Sequence, residues 1–182
     1  MTEFKGWPKI ARLNRDAILT EKIDGTNACV IIEENEGLVT VAAQSRNRIV
    51  TPDKDNYGFA RWVEDNAETL VNDLGPGYHY GEWWGKGIQR QYGQTERFFS
   101  LFNVVRWNQG SGYFSTRQLR TVPMLYTGLF TMLSIDHALH TLKRWGSTAA
   151  TGFQEPEGII IYHTAAKQLF KVTLEGDANG KT

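Results

Sequence analysis

A single cysteine, Cys29, leaves this chain no internal disulfide to form, which fits a reducing cytoplasm. Cys29 sits in the apolar run Ala28-Cys29-Val30-Ile31-Ile32, where a buried structural role is the ordinary one. No apolar run approaches the roughly 20 residues that a membrane span needs. The start, Met1-Thr2-Glu3-Phe4-Lys5, lacks the apolar region of a signal peptide. An excess of one charge is also missing, since Lys+Arg 20 balances Asp+Glu 20. That balance argues against sequence-blind coating of nucleic acid, which needs a broadly basic surface. It leaves room for a local cationic site drawn from Arg46 and Arg48, Lys86 and Arg90, Arg117 and Arg120, or Lys143 and Arg144. There is no internal repeat, low-complexity tract or charged tail. A phosphate-binding loop of the Gly-x4-Gly-Lys-Ser/Thr kind is absent, as are serine-hydrolase and thiol-protease patterns. Among the histidines, His137 and His140 share a helix face near Asp136, but they lack the further ligands that zinc needs.

What remains is a chain of 182 residues, 41% hydrophobic, enough for one domain with a real core. Ala28–Glu33 and Leu38–Ala43 are expected to be strands joined by a turn at Asn35-Glu36-Gly37. Tyr78–Trp83, Phe98–Trp107, Ile159–Tyr162 and Leu169–Leu174 are also strand-like. Apolar residues at helical spacing predict a helix over Tyr57–Leu74 and one or two over Thr127–Trp145. Ser115-Thr116-Arg117-Gln118 has the form of a helix capping box. Gly75-Pro76-Gly77 and Gly110-Ser111-Gly112 read as loops, and Trp7–Arg15 carries no clear pattern. Helices scattered among meandering strands indicate α+β with antiparallel sheets.

The most informative stretch is Glu21-Lys22-Ile23-Asp24-Gly25-Thr26-Asn27. It sets one lysine between an acid and an Asp-Gly turn, just ahead of an apolar strand. The stretch resembles the Lys-x-Asp-Gly with which covalent nucleotidyltransferases present a lysine that attacks the α-phosphate of a nucleoside triphosphate and holds the nucleotide as a phosphoramidate. Only a neutral amine is nucleophilic, and a free lysine titrates near about 10.4, so such a site needs burial or a neighbouring cation. Four further segments follow in order. Gln44-Ser45-Arg46-Asn47-Arg48 ends a strand with an arginine fork suited to ribose or phosphate oxygens. Tyr80-Gly81-Glu82-Trp83-Trp84-Gly85-Lys86-Gly87-Ile88-Gln89 offers a glycine for close backbone approach and an acid for a ribose hydroxyl. Its tryptophans are expected to pack. Phe98–Val104 sets an aromatic at a strand end, where it can stack on a purine. Glu155–Tyr162, then Lys167 and Phe170-Lys171-Val172, puts an acid before a buried strand and a lysine on the next.

Together these segments resemble the adenylation domain of the RNA ligase 2 family, within the covalent nucleotidyltransferases that include RNA ligases, DNA ligases and mRNA capping enzymes. Glu21–Asn27 is similar to motif I, Ser45-Arg46 to Ia, Gly81-Glu82-Trp83 to III and Phe99–Val104 to IIIa. Glu157-Gly158-Ile159-Ile160 is similar to IV and Phe170-Lys171-Val172 to V. The resemblance runs from about Ile18 to Leu174. Asn27, where DNA ligases and capping enzymes usually carry arginine, and the long Gly81–Gln89 stretch favour the RNA ligases.

The resemblance implies an α+β fold in which two antiparallel sheets form a nucleotide-binding cleft with flanking helices, ATP-grasp-like in architecture. It implies ATP and Mg²⁺ (or Mn²⁺), a lysyl-AMP intermediate on Lys22, and AMP transfer to a nucleic-acid 5′-phosphate for end joining. Glu21 and Ile23 would frame the adenine, and Phe102 would stack on it. Arg46 and Glu82 would hold ribose and phosphate, Lys171 the α-phosphate, and Glu157 a divalent metal. Asn27, Arg48 and Lys86 would meet the RNA (or DNA) strand end. The sequence departs from motif V in carrying Thr173 where a second lysine is usual, with Lys167 and Lys181 as candidate substitutes. One domain over 1–182 is expected, without the OB-fold or helical appendage of relatives. Self-adenylation is therefore expected to be readier than complete sealing, unless a partner protein supplies the missing part. A minimal DNA ligase and a non-catalytic nucleotide- or RNA-end-binding module are the alternatives.

Overall fold

The computed structural model describes residues 2–107 and 114–175. The elements in chain order are β1 (Asp16–Lys22), β2 (Thr26–Asn35), β3 (Leu38–Ser45), β4 (Ile49–Val50), α1 (Phe59–Asp65), α2 (Ala67–Leu74) and β5 (Gly77–Gly85). After a 3₁₀ turn at Gln91–Gly93 come β6 (Arg97–Leu101), α3 (Val104–Trp107), β7 (Leu119–Thr121), β8 (Met124–Leu129), α4 (Met132–Trp145), β9 (Gly158–His163) and β10 (Gln168–Thr173). They form two sheets, one of four strands ordered β10-β9-β1-β8 and one of six ordered β4-β3-β2-β5-β6-β7. Every pairing is antiparallel except β6 with β7.

The side-chain alternation of each strand assigns its faces. On β2, Ala28, Val30 and Ile32 point to α1 and α2, where Phe59, Trp62, Val63, Leu70 and Leu74 complete the larger core. On β1, Ala17 and Leu19 point to Ile135, Ala138 and Leu142 of α4. A third cluster lies between the sheets: Ile23, Trp84, Tyr92, Phe98, Val122 and Ala150, with Ile18 and Phe153 against it. The sheets are thus closed on each other at one end by packed side chains and open at the other, which makes a cleft with a hydrophobic floor. Cys29 is buried, and burial pushes its thiol up to about 11, as an inert structural cysteine requires.

Several local expectations are corrected. The helix over Tyr57–Leu74 is two helices, broken where the Asn66 side chain donates to the Trp62 carbonyl. Asparagine offers its backbone that competing bond. The first part of Thr127–Trp145 is strand: Thr127 to Leu129 belong to β8 and pair with β1. The capping box lies at Thr131 and Ser134, not at Ser115–Gln118. There the Ser115 and Thr116 amides bind Asp73 and lead into β7. The strand at Phe98–Trp107 stops at Leu101, and α3 follows. Among the described residues no helix is long and apolar enough to cross a membrane. The predicted loop Gly110-Ser111-Gly112 and Lys181 lie outside the described residues.

Candidate active site

Lys22 is the last residue of β1 and Thr26 the first of β2, so the motif spans the crossing from one sheet to the other. A strand has a period of two, so Lys22 faces away from Glu21 and into the cleft. Its Nζ donates to Glu157 Oε2 at 2.5 Å. Glu157 stands there because β9 pairs with β1 in the register Lys22↔Gly158, with the acid one residue ahead. Gly158 is required at that point, since a Cβ would run into the Val172 carbonyl of β10.

Glu82 arrives from the other sheet, opposite Asn27 on β2. It accepts from the Gly25 amide at 3.0 Å and from Asn27 Nδ2 at 3.1 Å. Gly25 backs directly onto β5: a Cβ would lie 2.5 Å from the Trp83 carbonyl oxygen and 2.8 Å from Trp84 Cβ. The Asp-Gly turn is therefore seated on the strand that carries Glu82. Burial pushes the Glu82 carboxyl up to about 7 from an ordinary 4.5, with the Lys22 charge pulling it back. Between those values the folded chain keeps a proton that the unfolded chain has released. The Glu82 contribution to stability is then complete below about pH 4.5 and lost as the pH rises through about 7. Glu82→Gln removes this dependence. Urea titrations of both proteins at pH 4.5 and 8.5 should show their difference moving in favour of the glutamine variant by about 3 kcal/mol. A difference that stays constant with pH would contradict the assignment.

Lys171 lies on β10 opposite Ile160, which in turn pairs with Thr20. Strand spacing then puts its Cα roughly 12 Å from that of Lys22, with both on the cleft face. Phe102 follows β6, its amide bonded to the Tyr80 carbonyl, and its ring is exposed. Arg46 follows the end of β3, one residue past the Ser45↔Ala28 pair. Lys22, Asn27, Glu82, Phe102, Glu157 and Lys171 are thus brought to one cleft, with Arg46 at the end of the six-stranded sheet.

The other candidate residues are differently placed. Glu21 is turned to the opposite face, 1% exposed, where it accepts from Ser147 Oγ and from the Thr148 and Ala149 amides. Burial raises its carboxyl above the usual range, and those three donors hold the rise in check. It anchors the loop after α4 rather than offering a side chain to the cleft. Ile23 is buried in the cluster between the sheets. Arg48 donates to the Lys54 and Asp55 carbonyls and so braces the loop after β4. Lys86 lies behind the six-stranded sheet with Arg61 and Arg97, lining a cavity of about 430 Å³ over Trp62 and Trp83.

Tyr92 is not among the expected site residues, and Arg90 stands among them only as a candidate surface cation beside Lys86. Arg90 donates to Asp24 Oδ2 at 3.1 Å, to the Glu155 carbonyl at 3.2 Å and to Glu175 at 2.7 Å. It ties the Lys22 turn to the segments flanking β9 and β10. Tyr92, packed against Trp84 and Phe153, accepts from the Asp24 amide at 2.9 Å. The backbone that presents them has positive φ at Gln89, Gln91 and Tyr92, a strain that persists only where surroundings enforce it. Arg90 and Tyr92, followed by Gly93, were the available signal. Arg90→Lys cannot reach three acceptors with one ammonium. We expect it to slow any reaction at Lys22 about tenfold or more through misplacement of the turn, with at most about 1–2 kcal/mol of stability lost. Single-turnover rates and urea unfolding check this, and an unchanged rate counts against the clamp.

Among the described residues no group of three or more His, Cys, Asp or Glu could hold a metal by protein ligands alone. A hard cation that binds one or two carboxylates and takes the rest of its shell from phosphates and water suits such a site. Glu157 fits that requirement.

A family model described as RNA ligase matches residues 15–173. No curated protein matches the chain in sequence. Among solved structures, the chain is similar to an RNA ligase of Naegleria gruberi in an apo mutant form, at TM-score 0.60 and 18% identity, covering 89% of this chain and 50% of that one. It is also similar to a mutant of Naegleria gruberi RNA ligase solved with ATP and Mn, at TM-score 0.57 and 18% identity, covering 89% and 50%. An archaeal ATP-dependent RNA ligase gives TM-score 0.58 at 14% identity, covering 93% and 48%. The chain spans about half the length of these proteins. The α+β fold with two sheets is the fold they share.

Proposed function

Because the chain belongs to the RNA ligase family, we propose that it is an ATP-dependent nucleotidyltransferase that forms lysyl-AMP on Lys22 and passes AMP to a nucleic-acid 5′-phosphate for end joining. The observation that carries this reading is the convergence of Lys22, Glu82 and Glu157 at the crossing between the sheets. A pocket that only bound nucleotide would have no need of an amine held at that point.

Lys22 Nζ attacks the α-phosphorus. A P–N bond forms, the P–O bond to pyrophosphate breaks, and the amine gives up a proton. An ammonium has no lone pair, so its proton must leave before attack, and Glu157 Oε2, in contact with Nζ, is the group placed to accept it. Glu82 keeps the turn seated through Gly25 and stands where a ribose hydroxyl can donate to it. Phe102 offers a ring to the adenine, while Lys171 and Arg46 offer charge to the phosphates. Glu157 is the residue that would hold a divalent cation, which when bound neutralises the triphosphate. Asn27, bonded to Glu82, is set to meet the strand end. Positioning and charge carry the catalysis. Residues 1–182 serve as one nucleotidyltransferase domain, and a single buried cysteine suits a reducing cytoplasm.

Intact mass after incubation with ATP and Mg²⁺ tests the reading. A covalent AMP adduct is expected, and its absence would overturn the proposal. Nicked RNA and DNA duplexes of the same sequence, assayed for adenylation and sealing side by side, then separate RNA joining from a minimal DNA ligase at the 2′-hydroxyl.

A further inference from the structure

Beyond the residues already assigned, the cleft face of the six-stranded sheet carries a line of exposed rings. The register sets side chains on this face in rows. One row runs Asn27, Glu82, Ser100. The next runs Gln44, Cys29, Tyr80 and, through the Phe102 amide bond to the Tyr80 carbonyl, Phe102. The third includes Ala42, Ile31 and Tyr78. Tyr80 is therefore a direct neighbour of Phe102 across the strands and lies two residues from Glu82. Tyr78 continues the line away from Lys22. Tyr78 and Tyr80 are each 53% exposed and Phe102 is 42% exposed. The two tyrosine rings are nearly parallel, with centroids 6.3 Å apart and planes 21° from each other.

A single adenine occupies one ring, so Phe102 accounts for the nucleotide and leaves two rings over. We infer that Tyr80 and Tyr78 are a stacking platform for unpaired bases of the nucleic-acid strand whose end is brought to Lys22, an inference that rests on the function proposed above. The chemistry favours a single strand over other occupants. The 6.3 Å step between the rings is nearly twice the roughly 3.4 Å per nucleotide of a duplex strand. That step suits a strand drawn out of helical stacking. Charge complements it, because Arg46 follows the end of β3 at the level of the Asn27–Glu82 row, where a backbone phosphate can be met. Exposed rings on a face that also carries a cationic side chain, here Arg46, are the elements with which proteins hold single strands without reading their sequence. Every base has a π-face, so the platform holds RNA and DNA strands alike and leaves sugar discrimination to the residues around Asn27.

The test uses short 5′-phosphorylated single-stranded RNA oligomers, each with one abasic site walked inward from the phosphate, bound to the full chain without ATP. At one or two positions the missing base should weaken binding by about 5- to 100-fold, while abasic sites farther along should cost little. The Tyr78→Leu, Tyr80→Leu double variant should bind the intact strand more weakly by a similar factor. It should also lose the positional dependence, and the Tyr78→Phe, Tyr80→Phe variant should keep it. An abasic walk on the unmutated chain that finds no position costing more than twofold overturns the platform, as does a leucine variant that retains the pattern. The ATP adduct of the unmutated chain reports separately on the reaction. An adduct without ring dependence removes the platform alone. Ring dependence without an adduct leaves the platform standing and removes the enzymatic reading.

Discussion

Lys22→Ala should yield no AMP adduct, a loss of more than about 10⁴-fold, the scale on which removal of a covalent nucleophile acts. Lys22→Arg should fail as completely, because a guanidinium stays protonated and has no lone pair to offer. The two variants fail for different reasons, and together they separate charge from nucleophilicity. Arginine can still pair with Glu157, so the carboxylate that holds Nζ at 2.5 Å keeps a cation beside it. Alanine removes that partner from a pair that is mostly buried, at 24% and 17% exposure, so its loss should cost about 1–3 kcal/mol. Both proteins should therefore remain folded. The measurement is the intact mass after incubation with ATP and Mg²⁺, alongside a thermal melt. An acid-labile adduct on either variant would mean that another residue attacks.

Gly25→Ala is expected to have the next largest effect, although glycine to alanine adds only one methyl group. Gly25 has no positive φ to accommodate, so the difficulty is space rather than backbone conformation. The new Cβ would fall 2.5 Å from the Trp83 carbonyl oxygen, 2.8 Å from Trp84 Cβ and 3.0 Å from Glu82 Cγ. Two of these neighbours are fixed by sheet pairing and by the packed cluster under the cleft, so the turn is the part that yields. A displacement of roughly 1 Å lengthens the bond from the Gly25 amide to Glu82 and moves Lys22 off its line of attack, which can cost about 10²-fold in rate. Overpacking at such a site also costs about 1–3 kcal/mol. Gly37→Ala is the control. Gly37 has φ +81 but nothing within 4 Å of its added Cβ, so it should lose about 1 kcal/mol and leave the adduct rate unchanged. Rates and melting temperatures of the two variants decide the matter. A Gly25→Ala protein that reacts at the normal rate would show that the turn is not held by its contact with β5.

The legible part of this chain was the part with short-range periodicity or an ordered set of polar residues. The short apolar runs of β2 and β9 and the apolar-rich stretches of β5 and β10 announced strands at nearly their observed bounds. The order of Lys22, Arg46, Glu82, Phe102, Glu157 and Lys171 announced the family. β1 and β8 were not legible as partners, because they are far apart in the chain and each is held chiefly by its neighbours. The strand character of Thr127–Leu129 in particular comes from pairing with β1, which overrides a locally helical pattern.

Residue chemistry along the chain therefore determined which groups are available, a lysine beside an Asp-Gly turn and acids ahead of buried strands. It could not say on which side of its strand each group points or what stands opposite. Glu21 and Lys22 are adjacent and equally polar, yet one is spent anchoring the loop after α4 while the other faces the cleft. Arg90 reads as one more surface cation until the fold brings Asp24, Glu155 and Glu175 around it. Those outcomes belong to the tertiary structure, because strand alternation and register convert a difference of one residue into opposite faces of a sheet. The contacts that give a side chain its role come from segments that sequence distance does not bring together.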